Sequence, residues 1–496
     1  MRDPECSLKV FADNLKKKGS GKDSQGVGSI RSSWEADNDR GAKGLTLVRN
    51  GEGTHSPNSE LEVAVETKLS RISEIARKDK KLKFISLAHL LSEENLKSCF
   101  YMLKKDRAAG VDKVSLEEYE ENLDGNIKGL VSRLKEKSYK PKPVRRVYIP
   151  KANGKMRPLG IPAVEDKVVQ MAITKILNAI YEQDFVDNSY GFRQKRGCHD
   201  ALKALGKMIT YEMVSYVIDA DIKGFFDNVD HEILIRMLRI RIGDSALLQL
   251  IGRFLKGGVI EENKHYETEK GTPQGGILSP VLANIYLHYA LDKWIEHVKP
   301  KLEGYIGMIR YADDFVICVQ LKSTARKLME MLKGCLGKVK LELAEDKTRL
   351  IEFGRFAEEN AKRKGRRTET FNFLGISHYC TKSRKGEFKV GRKTEKKKLR
   401  QKLKEMKEWL REVVHEKVEI WWPILRSKMI GHYQYYGVSE NSKGITKYYF
   451  EVKGMIFKWM NRRSQRTSFN WEKFQEYIKR YAIPRPKIYH SFYSVS

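Results

Sequence analysis

A chain of 496 residues, 41% of them hydrophobic, has room for about two to four domains with packed cores. Its formal charge of +31 at pH 7 points to a polyanionic partner, because excess Lys and Arg supplies phosphate contacts and counterion release whatever the nucleic-acid sequence. No apolar run of about twenty residues marks a membrane span, and the acidic opening Met1-Arg2-Asp3-Pro4-Glu5 is neither a secretory signal nor a typical organellar leader.

Residues 1 to about 60 are rich in Gly, Ser, Asn, Asp and Lys and read as a largely disordered extension. Helical spacing begins with Leu69, Ile72, Ile75 and Ala76, and a second helix is expected over 87–105. In Arg107-Ala108-Ala109-Gly110-Val111-Asp112 the glycine and the acid suit a loop, with Asp112 ordering it. A basic strand over 139–151, a turn at Gly154 and a second strand to Pro162 make a hairpin with cations at its tip. Such a tip can fold over a nucleoside triphosphate and neutralise charge on the leaving group, or bind nucleic-acid backbone in general. The blocks 188–193 and 196–201 run into a helix, with Arg193 as a further site candidate and His199 and His231 read as structural.

An apolar strand over 215–226 carries Asp219 and Asp221, with Asp219 either facing away or supporting Asp221 from behind. In Gly271-Thr272-Pro273-Gln274-Gly275-Gly276-Ile277-Leu278-Ser279-Pro280 the glycines let backbone approach a ligand closely. Ser279 as N-cap and Pro280 behind it start a helix that buries Leu282, Ile285, Tyr286, Tyr289 and Trp294. Over 306–319 apolar residues run into Asp313 and Asp314 and resume at once, which predicts two strands with an acidic turn. Adjacent carboxylates repel unless a cation sits between them, and a hard divalent ion such as Mg²⁺ prefers carboxylate oxygens. An ordinary exposed turn is the plain alternative. Asp221 outweighs it, since three carboxylates suit a two-metal site for in-line phosphoryl displacement.

A helix is expected over 325–336. From Gly391 the pattern becomes basic and helical, with the stripe Leu399, Leu403, Met406, Leu410 and Val413 broken at Trp421-Trp422-Pro423. The six cysteines are scattered and never form Cys-X-X-Cys, which fits a reducing compartment and argues against structural zinc.

Tyr311-Ala312-Asp313-Asp314 matches the Tyr-X-Asp-Asp signature of reverse transcriptases. From roughly residue 65 to 490 the blocks resemble, in consecutive order, those of group II intron-encoded reverse transcriptase and maturase proteins. Pro273-Gln274-Gly275-Gly276 followed by Ser279-Pro280 has the group II form rather than the viral, retron or diversity-generating one. The resemblance implies an α+β right-hand polymerase fold, with fingers, palm and an α-helical thumb. It divides the chain into a disordered extension (1–62), N-terminal extension and fingers (63–215), palm (216–385), thumb or maturase domain (386–442) and a basic DNA-binding segment (443–496).

The same resemblance implies that Asp221, Asp313 and Asp314, with the Ile222 carbonyl as a further ligand, hold two Mg²⁺ ions, for which Mn²⁺ could substitute. It makes Lys151 and Arg157 the phosphate-contacting pair and Gln274 a contact of the incoming nucleotide. Phe226 would close on the sugar and exclude a 2′-OH, with Phe225 as its structural rival. Lys347 would protonate the pyrophosphate leaving group, and residues 371–376 would hold the primer end. Expected partners are intron RNA, an RNA template, a DNA primer, deoxynucleoside triphosphates and target DNA, in a bacterial cytoplasm near the nucleoid and away from membranes. The implied function is RNA-directed DNA polymerisation with splicing assistance and intron homing. The alternatives are a non-catalytic splicing maturase and a domesticated reverse transcriptase in defence or repair. Nothing matches the family's His-Asn-His endonuclease, so no intrinsic target nicking is expected.

Overall fold

The computed structural model describes residues 57–104, 108–150, 156–261, 264–272, 275–462 and 469–493. Lys151, Gln274 and residues 1–56 of the expected disordered extension lie outside these. The Pro57–Lys78 helix begins inside the stretch expected to lack structure. The second expected helix is shorter than 87–105: a tight turn at Ala88–Leu90 precedes Glu93–Tyr101, whose start is fixed by Ser92 accepting from the Asn95 amide.

The first hairpin is β1 (Val144–Pro150) and β2 (Met156–Ile161), followed by β3 (Tyr216–Asp221). β4 (Val259–Glu261) and β5 (Lys264–Tyr266) extend the first sheet to the order β2-β1-β4-β5. β6 (Ile306–Tyr311), β7 (Asp314–Val319) and β8 (Arg349–Glu352) join β3 in a central sheet of order β6-β7-β3-β8, antiparallel throughout. β9 (Thr370–Phe373), β10 (Ile376–Lys382) and β11 (Phe388–Thr394) form a third sheet.

Strand alternation sends neighbouring side chains of the central sheet to opposite faces, and both faces are covered. Ile218, Ala220, Phe315 and Ile317 enter one core, while Val217, Val316 and Cys318 enter another. The first core is built around the Val164–Tyr181 helix, buried on nearly every side with Asp166, Lys167, Gln170 and Lys175 enclosed among its apolar residues, and Pro57–Lys78 and Glu93–Tyr101 pack against it. Cations order the loop beside it: Lys167 donates to the Ala108 carbonyl at 2.9 Å, Arg145 to that of Ala109 at 2.8 Å, and Lys142 pairs with Asp112 at 3.0 Å.

Four C-terminal helices, Lys396–Val413, Val418–Tyr436, Ser442–Met460 and Trp471–Arg480, build the second core together with the Cys198–Tyr211 helix and the third sheet. The expected break at Trp421-Trp422-Pro423 falls at 414–417 instead. Pro423 stands in the second turn of the next helix, where it removes only the bond to the Glu419 carbonyl. Trp421 and Trp422 are each less than 5% exposed, so their burial outweighs that loss. Residues on both sides of the expected boundary at 442 and 443 share this core, and the chain returns to it where Val438 bridges His490.

Candidate active site

Register fixes the centre of the site. β3 and β7 pair so that Asp221 stands directly opposite Asp314. The strand expected to run to residue 226 stops at Asp221, because Gly224 turns left-handed at φ +53° and Phe225–Asn228 forms one helical turn. That turn separates the two phenylalanines: Phe225 is 2% exposed in the first core, whereas Phe226 is partly exposed and meets the Phe192 ring edge-on at 6.4 Å.

Tyr311 pairs with Asp314, so the acidic turn consists of Ala312 and Asp313 alone. Ala312 sits at φ +56°, a conformation that costs an L-residue roughly 1–2 kcal/mol. Two contacts hold it there. Arg310 donates to the Ala312 carbonyl at 3.0 Å, and Gly191 lies so close that a Cβ on it would stand 2.2 Å from the Ala312 nitrogen. Arg310 is fully buried, grips Asp292 through two bonds of 2.7 and 2.5 Å and reaches Asn284 at 3.1 Å. Asn284 in turn donates to the Gly191 carbonyl at 2.7 Å. Burial opposes ionisation of Asp292, yet the Arg310 guanidinium beside it holds its carboxyl below the usual range. The sequence reading missed this bracket, although an arginine inside the otherwise apolar β6 was its signal.

Asp219 shares the face of Asp221, as residues two apart on a strand must, and pairs with Arg349 at 3.0 Å. The expectation that it could face away is therefore corrected. Arg193 is corrected as well: it is 8% exposed and spent on Glu182 at 2.9 Å and on the Val186 and Ser189 carbonyls. His231 meets the Gly271 carbonyl at 2.7 Å and His199 that of Tyr435 at 2.9 Å, the structural roles expected of them.

The loop before the Ser279–Leu287 helix is tied to the same centre. The Thr272 amide donates to the Phe226 carbonyl at 2.8 Å, and a Cβ on Gly275 would stand 2.6 Å from the Gly160 carbonyl of β2. Leu278, not Ser279, is the N-cap, and the preceding amide of Ile277 is satisfied by Gln170 at 2.9 Å. Arg157 is exposed on β2, opposite Ile149, with its charge felt at Asp313. The Ile222 side chain is buried, and its backbone bridges Leu343.

Burial, then the neighbouring Asp313, Asp219 and Asp221, push the Asp314 carboxyl up to about 7. Burial also raises Asp313. Lys347 pairs with Asp221, and that bond raises its own pKa. An ammonium therefore already sits on this crowd of carboxylates, where a cation relieves the repulsion. Among the described residues no three His, Cys, Asp or Glu side chains close into a cage. A Mg²⁺-like ion does not require one, since it binds through one or two carboxylates plus phosphates and water. The donor set fits a hard divalent cation.

Beside Asp314 opens a cavity of about 590 Å³. Its walls include Leu374 and Gly375 of the β9–β10 turn, Lys398, Lys402 and Lys428 of the C-terminal helices, and Tyr435. Leu374 at φ +50° and Gly375 at φ +72° make a two-residue turn that suits the strand twist, and Tyr435 donates to the Leu374 carbonyl at 2.8 Å.

An acidic hairpin facing a carboxylate on the next antiparallel strand, beneath a separate basic hairpin, is the palm-and-fingers arrangement of nucleic-acid polymerases. Residues 149–378 match the family described as "Reverse transcriptase (RNA-dependent DNA polymerase)". The chain is 39% identical to "Group II intron-encoded protein LtrA" of Lactococcus lactis subsp. cremoris, over 45% of this chain and 47% of that protein. It is 33% identical to "Protein YkfC" of Escherichia coli (strain K12), over 57% of this chain and 78% of that one. It is 40% identical to the "91 kDa protein in cob intron" of Schizosaccharomyces pombe, over 38% and 23% respectively. The chain thus spans about half the length of the LtrA relative. It belongs to the reverse transcriptase family, on the branch encoded by group II introns.

Proposed function

We propose that this protein is the RNA-directed DNA polymerase of a group II intron, which also binds the intron RNA, assists its splicing and copies it into DNA during homing. The observation that carries this reading is the set of three carboxylates, Asp221 on β3 opposite Asp314 and beside Asp313 in the turn. RNA binding without polymerisation has no need of such a set. In this proposal Asp221, Asp313 and Asp314, with the Ile222 carbonyl, hold two Mg²⁺ ions. When bound, such ions stabilise the attacking and leaving oxygens of a phosphoryl transfer.

The protein's own groups do the rest. Arg157, with Lys151 at the hairpin tip, neutralises the triphosphate, and Gln274 meets the incoming nucleotide from its loop. Phe226 closes on the sugar and excludes a 2′-OH. Lys347 keeps its proton beside Asp221, available to the departing pyrophosphate. The primer end lies against the Leu374-Gly375 turn, and the C-terminal helices serve as a thumb that also grips intron RNA. Among the described residues no helix is long and apolar enough to cross a membrane.

Primer extension on an RNA template with Mg²⁺ and deoxynucleotides tests the proposal. Asp313→Ala should abolish extension and leave RNA binding and splicing assistance nearly intact. A folded, RNA-binding wild-type protein that extends no primer would favour the purely structural maturase.

A further inference from the structure

On the surface beside the outer end of the central sheet, a second cationic region serves none of the roles above. Residues 355–367 carry six cations, Arg355, Lys362, Arg363, Lys364, Arg366 and Arg367, against two acids, Glu358 and Glu359. Part of this charge is structural. Lys364 and Arg366 clamp Glu352 at 2.8 and 2.5 Å, and Lys362 pairs with Glu358 at 3.0 Å. Arg363 and Arg367 are exposed and enter none of these ion pairs.

The same surface exposes large rings. Phe356, at the start of the Ala357–Arg363 helix, is 55% exposed, and Tyr211, at the end of the Cys198–Tyr211 helix, is 77% exposed. Met213 beside it is 65% exposed. These belong to one place. Arg355 donates to the Thr210 carbonyl at 3.2 Å, and Gly354, at φ +141°, packs so tightly that a Cβ there would meet the Val214 carbonyl at 2.0 Å. The contact joins the two aromatic segments side by side. One exposed ring is ordinary, but rings and Met213 exposed together on adjoining segments and rimmed by cations mark an interaction surface.

We infer that Tyr211, Phe356 and the arginines Arg355, Arg363 and Arg367 form a docking surface for single-stranded RNA. Aromatic faces stack on unpaired bases of any sequence, and arginines beside them meet the phosphates. A duplex, with its bases already stacked, would use the cations but not the rings. The inference rests on the proposed RNA-binding role and assigns part of it to a face that the primer and template do not need.

The test uses full-length protein first loaded with an RNA-template and DNA-primer duplex, then titrated with a labelled 12-residue oligouridine. Extension of the loaded primer is read separately. Wild type should bind the oligouridine while extending normally. Tyr211→Ala with Phe356→Ala should weaken that binding by about tenfold or more, on the scale of one to two lost stacked bases. Arg363→Gln with Arg367→Gln should flatten the salt dependence by about 0.7 per phosphate contact removed. Both pairs should extend primers like wild type, and these exposed substitutions should leave the melting temperature unchanged. Unaltered oligouridine affinity in both variants would overturn the surface. Absence of extension in wild type would instead sink the polymerase reading, and the oligouridine titration would still decide the surface.

Discussion

Three residues that never touch a substrate hold the acidic turn in place, and each has a measurable consequence. Gly191 is irreplaceable on steric grounds, because the Cβ of Gly191→Ala would stand 2.2 Å from the Ala312 nitrogen. Overpacking of this kind costs about 1–3 kcal/mol, and here the displacement falls on the turn that carries Asp313. Extension by Gly191→Ala should drop at least tenfold while the protein still melts cooperatively; single-turnover extension with a thermal melt reads both. Arg310 and Asp292 behave as a unit. Arg310→Met leaves a carboxylate buried without its partner, at a cost of about 3–5 kcal/mol, whereas Arg310→Met with Asp292→Leu should recover most of it. Urea unfolding of both variants decides the point. At Phe226, Phe226→Val should admit ribonucleotides, raising their incorporation relative to deoxynucleotides by tenfold or more in competition assays. Equal discrimination by the variant would remove Phe226 from the sugar pocket.

At the scale of elements, the basic hairpin is anchored through a buried acid. Asp166 on the Val164–Tyr181 helix accepts from the Tyr139 hydroxyl at 2.5 Å and from the Lys142 amide at 3.1 Å. Burial pushes its carboxyl up to about 7 against these bonds, with Glu165 adding repulsion and the Lys142 side chain opposing it. Arg133, which faces Tyr139 and pairs with Glu165 at 2.8 Å, completes the charged surroundings. The folded chain therefore keeps a proton that the unfolded chain loses near pH 4. Stability from this group is complete below about pH 4, falls as pH rises to about 7 and is level above. Asp166→Asn, which imitates the protonated acid, should flatten that slope in melts taken from pH 4 to 8. A variant that kept the full slope would assign it to another group.

Local pattern made the polymerase elements legible. Apolar strands ending in carboxylates placed Asp221 beside Asp313 and Asp314, and helical spacing found the Leu399-to-Val413 stripe. What escaped depended on neighbours distant in sequence. Nothing near Trp421-Trp422-Pro423 tells that two buried indoles outweigh one lost helix bond, and the Arg310 bracket draws on residues from three separate segments. The face of Asp219 was within reach of strand alternation alone.

The central sheet lies between two cores, and the second of them is completed only by residues near the end of the chain. During synthesis β3 emerges first and must wait roughly ninety residues for β7, some 5–20 seconds at ordinary elongation rates. Its second face, met early by Ala201, Leu202, Leu205 and Ile209, is closed only when the helices beyond residue 396 leave the ribosome. Throughout that interval Val217, Val316 and Cys318 have only the Cys198–Tyr211 helix and the strands that follow it for cover, in a core that still lacks its C-terminal helices. A chain cut short before those helices should therefore engage chaperones or aggregate, even though every residue of the acidic centre is already present.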